Sequence, residues 1–315
     1  MNEHLKLCDP FDIMDQAAKD IMRPPVGVTI DGWDTFNEFS GGLRPHEFTI
    51  FCGGTGIGKT QFLAALTAGL ISKGVKTFVA PVETGAVDLM RRIFSVFGGY
   101  DFNAGVVANE TMLVNLKNVM KNHSGPIVDN LKIAIYDNRV DVDEMIMNLK
   151  YMSEVLGVKV ALLDNLNFFM KPTRPSEIIL ETDQVIHNFV MLAKKLPIHI
   201  VLVMHPKKTE GGKVVSEFDI KGSSTAVQEA SNVLLMNRLN DNEMTGDLTP
   251  FHRELVFRKI RRRGFYVGRK FYMRYEHGKY VDANGSRTGK ANVPKTIGPS
   301  KIKGTRPDTF LGNND

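Results

Sequence analysis

Residues 48–60 read Phe48-Thr49-Ile50-Phe51-Cys52-Gly53-Gly54-Thr55-Gly56-Ile57-Gly58-Lys59-Thr60. A short apolar run leads into G-x-x-x-x-G-K-[ST], matched at every fixed position. Phe62, Leu63, Leu66 and Leu70 then fall on one side of a helix that stops at Gly74. Strand, glycine loop and helix together are the context this motif needs. The glycines let backbone N–H groups curl around phosphate oxygens with no Cβ in the way, and the helix N-terminus adds a favourable dipole. Gly53, Gly54, Thr55, Gly56, Ile57, Gly58, Lys59, Thr60 and the adjoining Gln61 are therefore the expected contacts of ATP or another nucleoside triphosphate. Lys59 is placed to reach the β- and γ-phosphates and Thr60 to ligate Mg²⁺ through its hydroxyl.

Outward from this stretch, short apolar runs alternate with helical patterns. The expected strands are 48–52, 76–82, 131–136, 158–163, 198–203 and 232–236, and the expected helices include 60–73, 86–97, 141–156 and 182–195. Near-continuous apolar strands alternating with helices predict an α/β fold with a mostly parallel twisted sheet covered on both faces. Residues 254–260, 270–275 and 279–282 then read as short strands without intervening helices, an antiparallel C-terminal edge. Ahead of the core, residues 1–25 carry Ile13, Met14, Ala17, Ala18, Ile21 and Met22 at helical spacing, closed by Pro24-Pro25. That segment reads equally as a linker or arm docking on a neighbouring subunit and as a helix folded on its own domain. From Asn284 the chain is rich in Gly, Pro, Ser and Lys and is expected to be a mobile tail.

The bulk numbers narrow the function classes. With 315 residues, 43% hydrophobic and 24% charged, the composition is that of an ordinary globular chain. No apolar run approaches the ~20 residues of a membrane span. The opening residues are acidic and interrupted, unlike a secretory signal, and two cysteines, Cys8 and Cys52, make no disulfide framework. A reducing cytoplasm and no membrane are the expectation. The formal net charge is +5, and between Arg253 and Arg274 nine Arg or Lys residues stand against one acid, Glu254. Such local clustering points to nucleic acid or to bound phosphates.

Phosphoryl transfer also needs a water activator and a second metal anchor. Glu83 closes the strand that ends in Ala80-Pro81-Val82, where a carboxylate beside the loop can polarise the attacking water; a helix N-cap acid before Ala86 is the plainer reading. Asp164 closes Val160-Ala161-Leu162-Leu163, a position from which an acid holds Mg²⁺, or else turns the chain. His205 follows Ile200-Val201-Leu202-Val203-Met204 on the same rim, either as a sensor of the γ-phosphate or as an ordinary loop histidine.

With these residues in hand, 27–283 resembles the RecA-like ATPase domain of the DnaB family of hexameric replicative helicases, in its phage-type and Twinkle-like form. The resemblance is carried by an ordered set of segments. They are Ser40-Gly41-Gly42-Leu43-Arg44-Pro45-His46-Glu47, Glu83, Leu163-Asp164-Asn165-Leu166, Val203-Met204-His205, Asp219-Ile220-Lys221-Gly222-Ser223, Leu235-Met236-Asn237-Arg238 and Lys259-Ile260-Arg261. It implies a RecA-like P-loop core over 26–283, with 1–25 as a helical arm and 284–315 as a basic tail. Lys59 and Thr60 become the Walker A pair, Glu83 the catalytic base, Asp164 the metal-side acid and His205 the sensor. Lys259 and Arg261 resemble the companion and the finger that enter a neighbouring subunit's nucleotide site. A cation delivered across an interface neutralises transition-state charge, and it requires a head-to-tail ring or filament. Arg261, Arg262 and Arg263 are consecutive, and family spacing favours Arg261.

The resemblance also turns the loops Phe168–Ile178 and Pro206–Lys221 toward a central channel. Lys171 and Arg174 on the first, and Lys207, Lys208, Lys213 and Lys221 on the second, are the expected contacts of single-stranded DNA, unless these are simply solvated loops. The family often has Arg where Lys221 stands. Only about 25 residues precede the core, where the family carries a primase or helical-hairpin domain. The leading expectation is an ATP-dependent helicase, a homo-oligomer in a hexameric ring on single-stranded DNA, in a bacterial or phage-infected cytoplasm. Primase or polymerase partners would dock on the arm or on the tail, where Phe310-Leu311 is an apolar pair. The alternatives are a recombinase or recombination mediator forming filaments, and a scaffold or signalling ATPase that ignores DNA.

Overall fold

The computed structural model describes residues 9–22, 26–102, 109–136, 140–171, 174, 176–207, 215–216, 219–220, 224–244 and 246–283. In chain order the elements are α1 (Pro10–Met22), α2 (Asp34–Ser40), β1 (Glu47–Gly53), α3 (Lys59–Ser72), β2 (Thr77–Pro81), α4 (Ala86–Gly98), α5 (Glu110–Asn130) and β3 (Leu131–Ile133). They continue with α6 (Val142–Glu154), β4 (Val160–Asp164), α7 (Ile178–Lys195), β5 (His199–Met204), α8 (Ser224–Glu229), β6 (Asn232–Arg238), β7 (His252–Ile260), β8 (Lys270–Glu276) and β9 (Lys279–Asp282). The Pro24-Pro25 stop and the tail from Asn284 lie outside the described residues.

All nine strands form one sheet in the order β3-β2-β4-β5-β1-β6-β7-β8-β9. The first six in that order run parallel, and β7, β8 and β9 are antiparallel. The expected core and its antiparallel edge are both present. β1 is buried at every position because it sits mid-sheet between β5 and β6 and is covered on both faces. Phe48, Ile50 and Cys52 point into one core layer with α6 and α7, and Phe51 points into the other with α2, α3 and α4. Burial on both faces is why these strands read as continuous apolar runs instead of alternating ones.

α3 is buried along most of its length, and its Phe62 packs on Trp33, Phe36 and Phe51. The helix that starts at the glycine loop is thus held in an aromatic layer, and the loop has a rigid base.

α2, α5 and α8 escape the periodicity reading. α5 has Val119 as its one described buried residue and carries Gly125-Pro126 within it, so no apolar stripe marks it. α2 is a single short segment closed by Gly41 at φ 69°, a left-handed cap that glycine adopts without strain. α1 keeps Phe11, Ile13, Met14, Ile21 and Met22 in solvent. Among the described residues no helix is long and apolar enough to cross a membrane.

Candidate active site

Gly53 ends β1 opposite Met236 of β6, and a Cβ at Gly53 would lie 2.7 Å from the Met236 carbonyl oxygen. Gly56 and Gly58 stand at φ 68° and 105°, conformations that L side chains resist. From this turn α3 begins at Lys59. Its ammonium is buried, 6% of the residue being exposed, and donates to the carbonyls of Gly53 and Gly54 at 2.8 Å each. Nδ1 of His205 lies 3.3 Å from Nζ. Among the described residues no carboxylate forms a salt bridge with Lys59. Burial pulls its pKa below the ordinary lysine value, opposed chiefly by the charge of Asp164. A buried cation held by neutral groups at a helix N-terminus is a cradle for an anion such as a phosphate.

Beside it, Thr60 Oγ1 donates to Asp164 Oδ2 at 3.0 Å. Asp164 is buried at the end of β4, and its carboxyl is pushed up to about 6, mainly by burial. A hydroxyl and a desolvated carboxylate side by side suit a divalent cation. Among the described residues no group of three His, Cys, Asp or Glu forms a metal cage. Mg²⁺ takes one or two protein ligands and completes its octahedron with phosphate oxygens and water.

Glu83, just past β2, is tied to the same point by its backbone, donating N–H to the Asp164 carbonyl at 3.2 Å. Its Oε2 accepts a short hydrogen bond from Asn165 Nδ2 and lies 3.2 Å from His205 Nε2. Nδ1 of His205 faces Lys59, which can only donate, and Nε2 lies between Glu83 Oε2 at 3.2 Å and Asn165 Nδ2 at 3.1 Å. Asn165 is itself fixed by accepting Asn167 N–H on Oδ1 at 2.9 Å. The Glu83 side chain is 40% exposed. Its carboxylate is therefore oriented by two donors and still open to water.

Two arginines grip the loop from the C-terminal strands. Arg238 Nη2 donates to the Gly56 carbonyl at 3.0 Å, and Arg253 Nε donates to the Ile57 carbonyl at 2.7 Å. They are cross-strand partners on β6 and β7. Like charges in that register repel, and here each is turned onto a loop carbonyl. Gln61 is buried, and its side chain is committed to the Gly278 carbonyl and to Arg92. Of the residues expected at the nucleotide, Gln61 thus offers its backbone only.

The basic residues lie elsewhere. Ile260 pairs with Asn232, which pairs with Thr49, so Arg261 sits at the pole of the sheet opposite the loop. The two poles are roughly 20 Å apart along β1 at ~3.3 Å per residue. Within one chain, then, Arg261 does not meet the loop. Lys259 does not extend toward solvent with it; its ammonium donates to the carbonyls of Val227 and Gln228 and caps α8. Lys171 lies 3.5 Å from Asp141, and Arg174 and Lys207 are exposed. Lys208, Lys213 and Lys221 lie outside the described residues. The base of their loop is pinned: Pro206 bridges Ile220, Lys207 N–H donates to the Asp219 carbonyl at 2.6 Å, and Val215 N–H donates to Asn237 Oδ1 at 2.9 Å.

The DnaB-like helicase C-terminal domain model matches residues 27–277. The chain belongs to that family. It is 23% identical over 233 residues to the DNA helicase/primase of Enterobacteria phage T3, an alignment that covers 70% of this chain and 40% of the phage protein. The fold is similar to a solved ATPase domain, with TM-score 0.73 and 15% identity over 88% of this chain and 99% of that one. It is similar to a DnaB-like replicative helicase solved with its interactions with primase, with TM-score 0.70 and 15% identity over 87% of this chain and 68% of that one. A KaiC-like protein of Pyrococcus horikoshii OT3 aligns with TM-score 0.55 and 18% identity over 82% of this chain and 99% of that one.

Within this DnaB-like chain, sequence reasoning passes over three residues of the site. Asn165 and Arg238 stand inside motif segments with no role attached, and Arg253 is only a member of the basic run. The signal for Asn165 is its place one step after the Asp164 strand end. Arg238 and Arg253 become visible only once β6 and β7 are paired.

Proposed function

We propose that the chain is the motor of a ring-forming, ATP-dependent DNA helicase that moves on single-stranded DNA. The observation that carries this reading is the single rim on which Lys59, Thr60, Asp164, Glu83, Asn165 and His205 converge, with Arg261 exposed at the opposite pole. Lys59 and the loop N–H groups hold the triphosphate, and Thr60 with Asp164 holds Mg²⁺, which neutralises charge on the phosphoryl oxygens when bound. Glu83, aimed by Asn165 and His205, orients and deprotonates the attacking water. His205 touches both Lys59 and Glu83 and opens the loop that begins at Pro206, so it connects the state of the γ-phosphate to that loop. Arg261 acts on the next copy's nucleotide, which fits a head-to-tail ring in which each site needs two copies.

The lysines of the loop from Pro206 to Lys221 are assigned to the DNA backbone, and so is Arg174. Lys171 contributes less, since Asp141 partly neutralises it. Lys259 is assigned to holding α8 at the base of that loop. The exposed apolar stripe of α1 is offered to a neighbouring copy, and the tail to a primase or polymerase. Family membership favours the helicase over the filament-forming recombinase and the scaffold ATPase.

The test is hydrolysis with and without single-stranded DNA, beside unwinding of a forked duplex, for wild type, Lys59→Ala and Glu83→Gln. DNA-stimulated hydrolysis and unwinding, both lost in the variants, are expected. A nucleotide-loaded ring that never separates the fork overturns the proposal.

A further inference from the structure

Three consecutive arginines follow β7, and beyond the family spacing their order does not say which one a neighbouring copy would meet. Their surroundings do. Arg263 donates from Nη1 to the Glu38 carbonyl at 2.9 Å, and Arg262 Nε lies 3.4 Å from Glu47 Oε1. Arg261 is exposed and has no side-chain hydrogen bond or ion pair among the described residues. Its backbone is fixed, with N–H donating to the Ser231 carbonyl at 3.0 Å.

Glu47 is the centre of this arrangement. It opens β1 and is buried, with 5% exposed. Oε2 accepts from Asn232 Nδ2 at 3.0 Å, while Oε1 faces Arg44 Nη1 at 3.6 Å and Arg262 Nε at 3.4 Å. A buried carboxylate is costly without partners, and two guanidiniums converge on this one. Arg44 is buried too, while the Arg262 side chain is half exposed. Asn232 fixes Glu47 by a hydrogen bond, while Arg44 and Arg262 approach Oε1 as ionic contacts without one, so charge attraction draws Arg262 toward the core.

We propose that Glu47 is a positioning residue that clamps Arg262 so that Arg261 alone is presented to the nucleotide site of the next copy. This rests on the reading that Arg261 acts in trans. Glu47 touches no nucleotide of its own chain; it lies at the far end of β1 from the glycine loop.

Mixed rings of full-length chains test it. Glu47→Gln and Arg262→Gln are each assayed for DNA-stimulated hydrolysis alone and after mixing in equal amounts with Lys59→Ala, with Arg261→Ala as the reference. Alone, Glu47→Gln and Arg262→Gln lower kcat roughly ten- to a hundredfold at unchanged KM, the scale of a reacting group displaced by about an ångström. Arg261→Ala loses more than either. Mixed, each recovers toward about a quarter of the wild-type rate, because a Lys59→Ala copy supplies the intact clamp and finger across a head-to-tail interface. If Arg261→Ala recovers on mixing and Glu47→Gln does not, Glu47 acts within its own chain and the clamp is overturned. If Arg261→Ala itself fails to recover, the trans reading falls and the clamp with it. Should Glu47→Gln unfold because Arg44 is left buried and unpaired, Arg262→Gln decides, and a wild-type kcat for it rejects the proposal.

Discussion

Lys59 and Asp164 are opposite charges buried on one rim, and each is bound to neutral partners, Lys59 to the loop carbonyls and Asp164 to Thr60, with no ion pair between them among the described residues. Each keeps an unmet demand for charge, the anion on one side and the cation on the other. Glu83 is the contrasting case, half open and directed by donors. Glu83→Gln is expected to lower hydrolysis by roughly 10²- to 10⁴-fold while nucleotide affinity, read by fluorescent-nucleotide titration, stays within a fewfold of wild type. Asn165→Ala frees the Glu83 carboxylate on one side and should lower kcat roughly tenfold with KM unchanged. An unaltered kcat would mean that His205 suffices to aim Glu83. The acids and the histidine were legible because each stands directly after an apolar run. Asn165 was not, because its role depends on Glu83, 82 residues earlier in the chain.

At the scale of the element, the strands were legible and the helices less so. Burial on both faces writes β1, β2, β4, β5 and β6 into the sequence as apolar runs. α5, nearly all solvated, writes nothing comparable. β5 also carries a polar side chain into the core. His199 is buried, with Nδ1 2.7 Å from the Arg44 carbonyl and Nε2 2.9 Å from Thr49 Oγ1. Burial lowers its pKa to about 4 from 6.5. The unfolded chain therefore takes up a proton near pH 6.5 that the folded chain refuses until about pH 4, and stability falls as pH drops through that window. The full shift corresponds to about 3 kcal/mol. Asp164, raised to about 6, acts in the opposite sense over the same window, so the His199 term is read as a difference: from pH 6.5 toward 4 the thermal midpoint of His199→Asn, less stable at pH 7, should move closer to that of wild type. An equal slope in the variant would assign the effect to other groups.

At the scale of the molecule, the loop and Arg261 lie at opposite poles of one sheet, and in the proposed ring each site is completed by the next copy. Arg261→Ala is expected to lose hydrolysis by roughly 10³-fold or more with rings still visible by electron microscopy. Full activity in a strictly monomeric preparation would refute the shared site. α1 leaves its apolar side chains in solvent, so removing residues 1–22 should leave the thermal midpoint within ~2 °C while raising the protein concentration at which rings assemble in sedimentation. The proposed reach of Arg261 across copies was legible only through the family resemblance and its spacing. The Arg262–Glu47 contact was not, because it joins residues at opposite ends of the core.

The grip of Arg238 and Arg253 on the glycine loop bears on timing. Ordering a residue's backbone costs about 1–2 kcal/mol, and here that cost is met when the chain folds, not when nucleotide arrives. The loop is held in one shape by contacts within the chain, and Lys59 has to exchange the Gly53 and Gly54 carbonyls for a phosphate. Spent nucleotide can leave without the cradle collapsing behind it. In the proposed cycle the tempo is then set away from the loop, at the rim and at the boundary between copies.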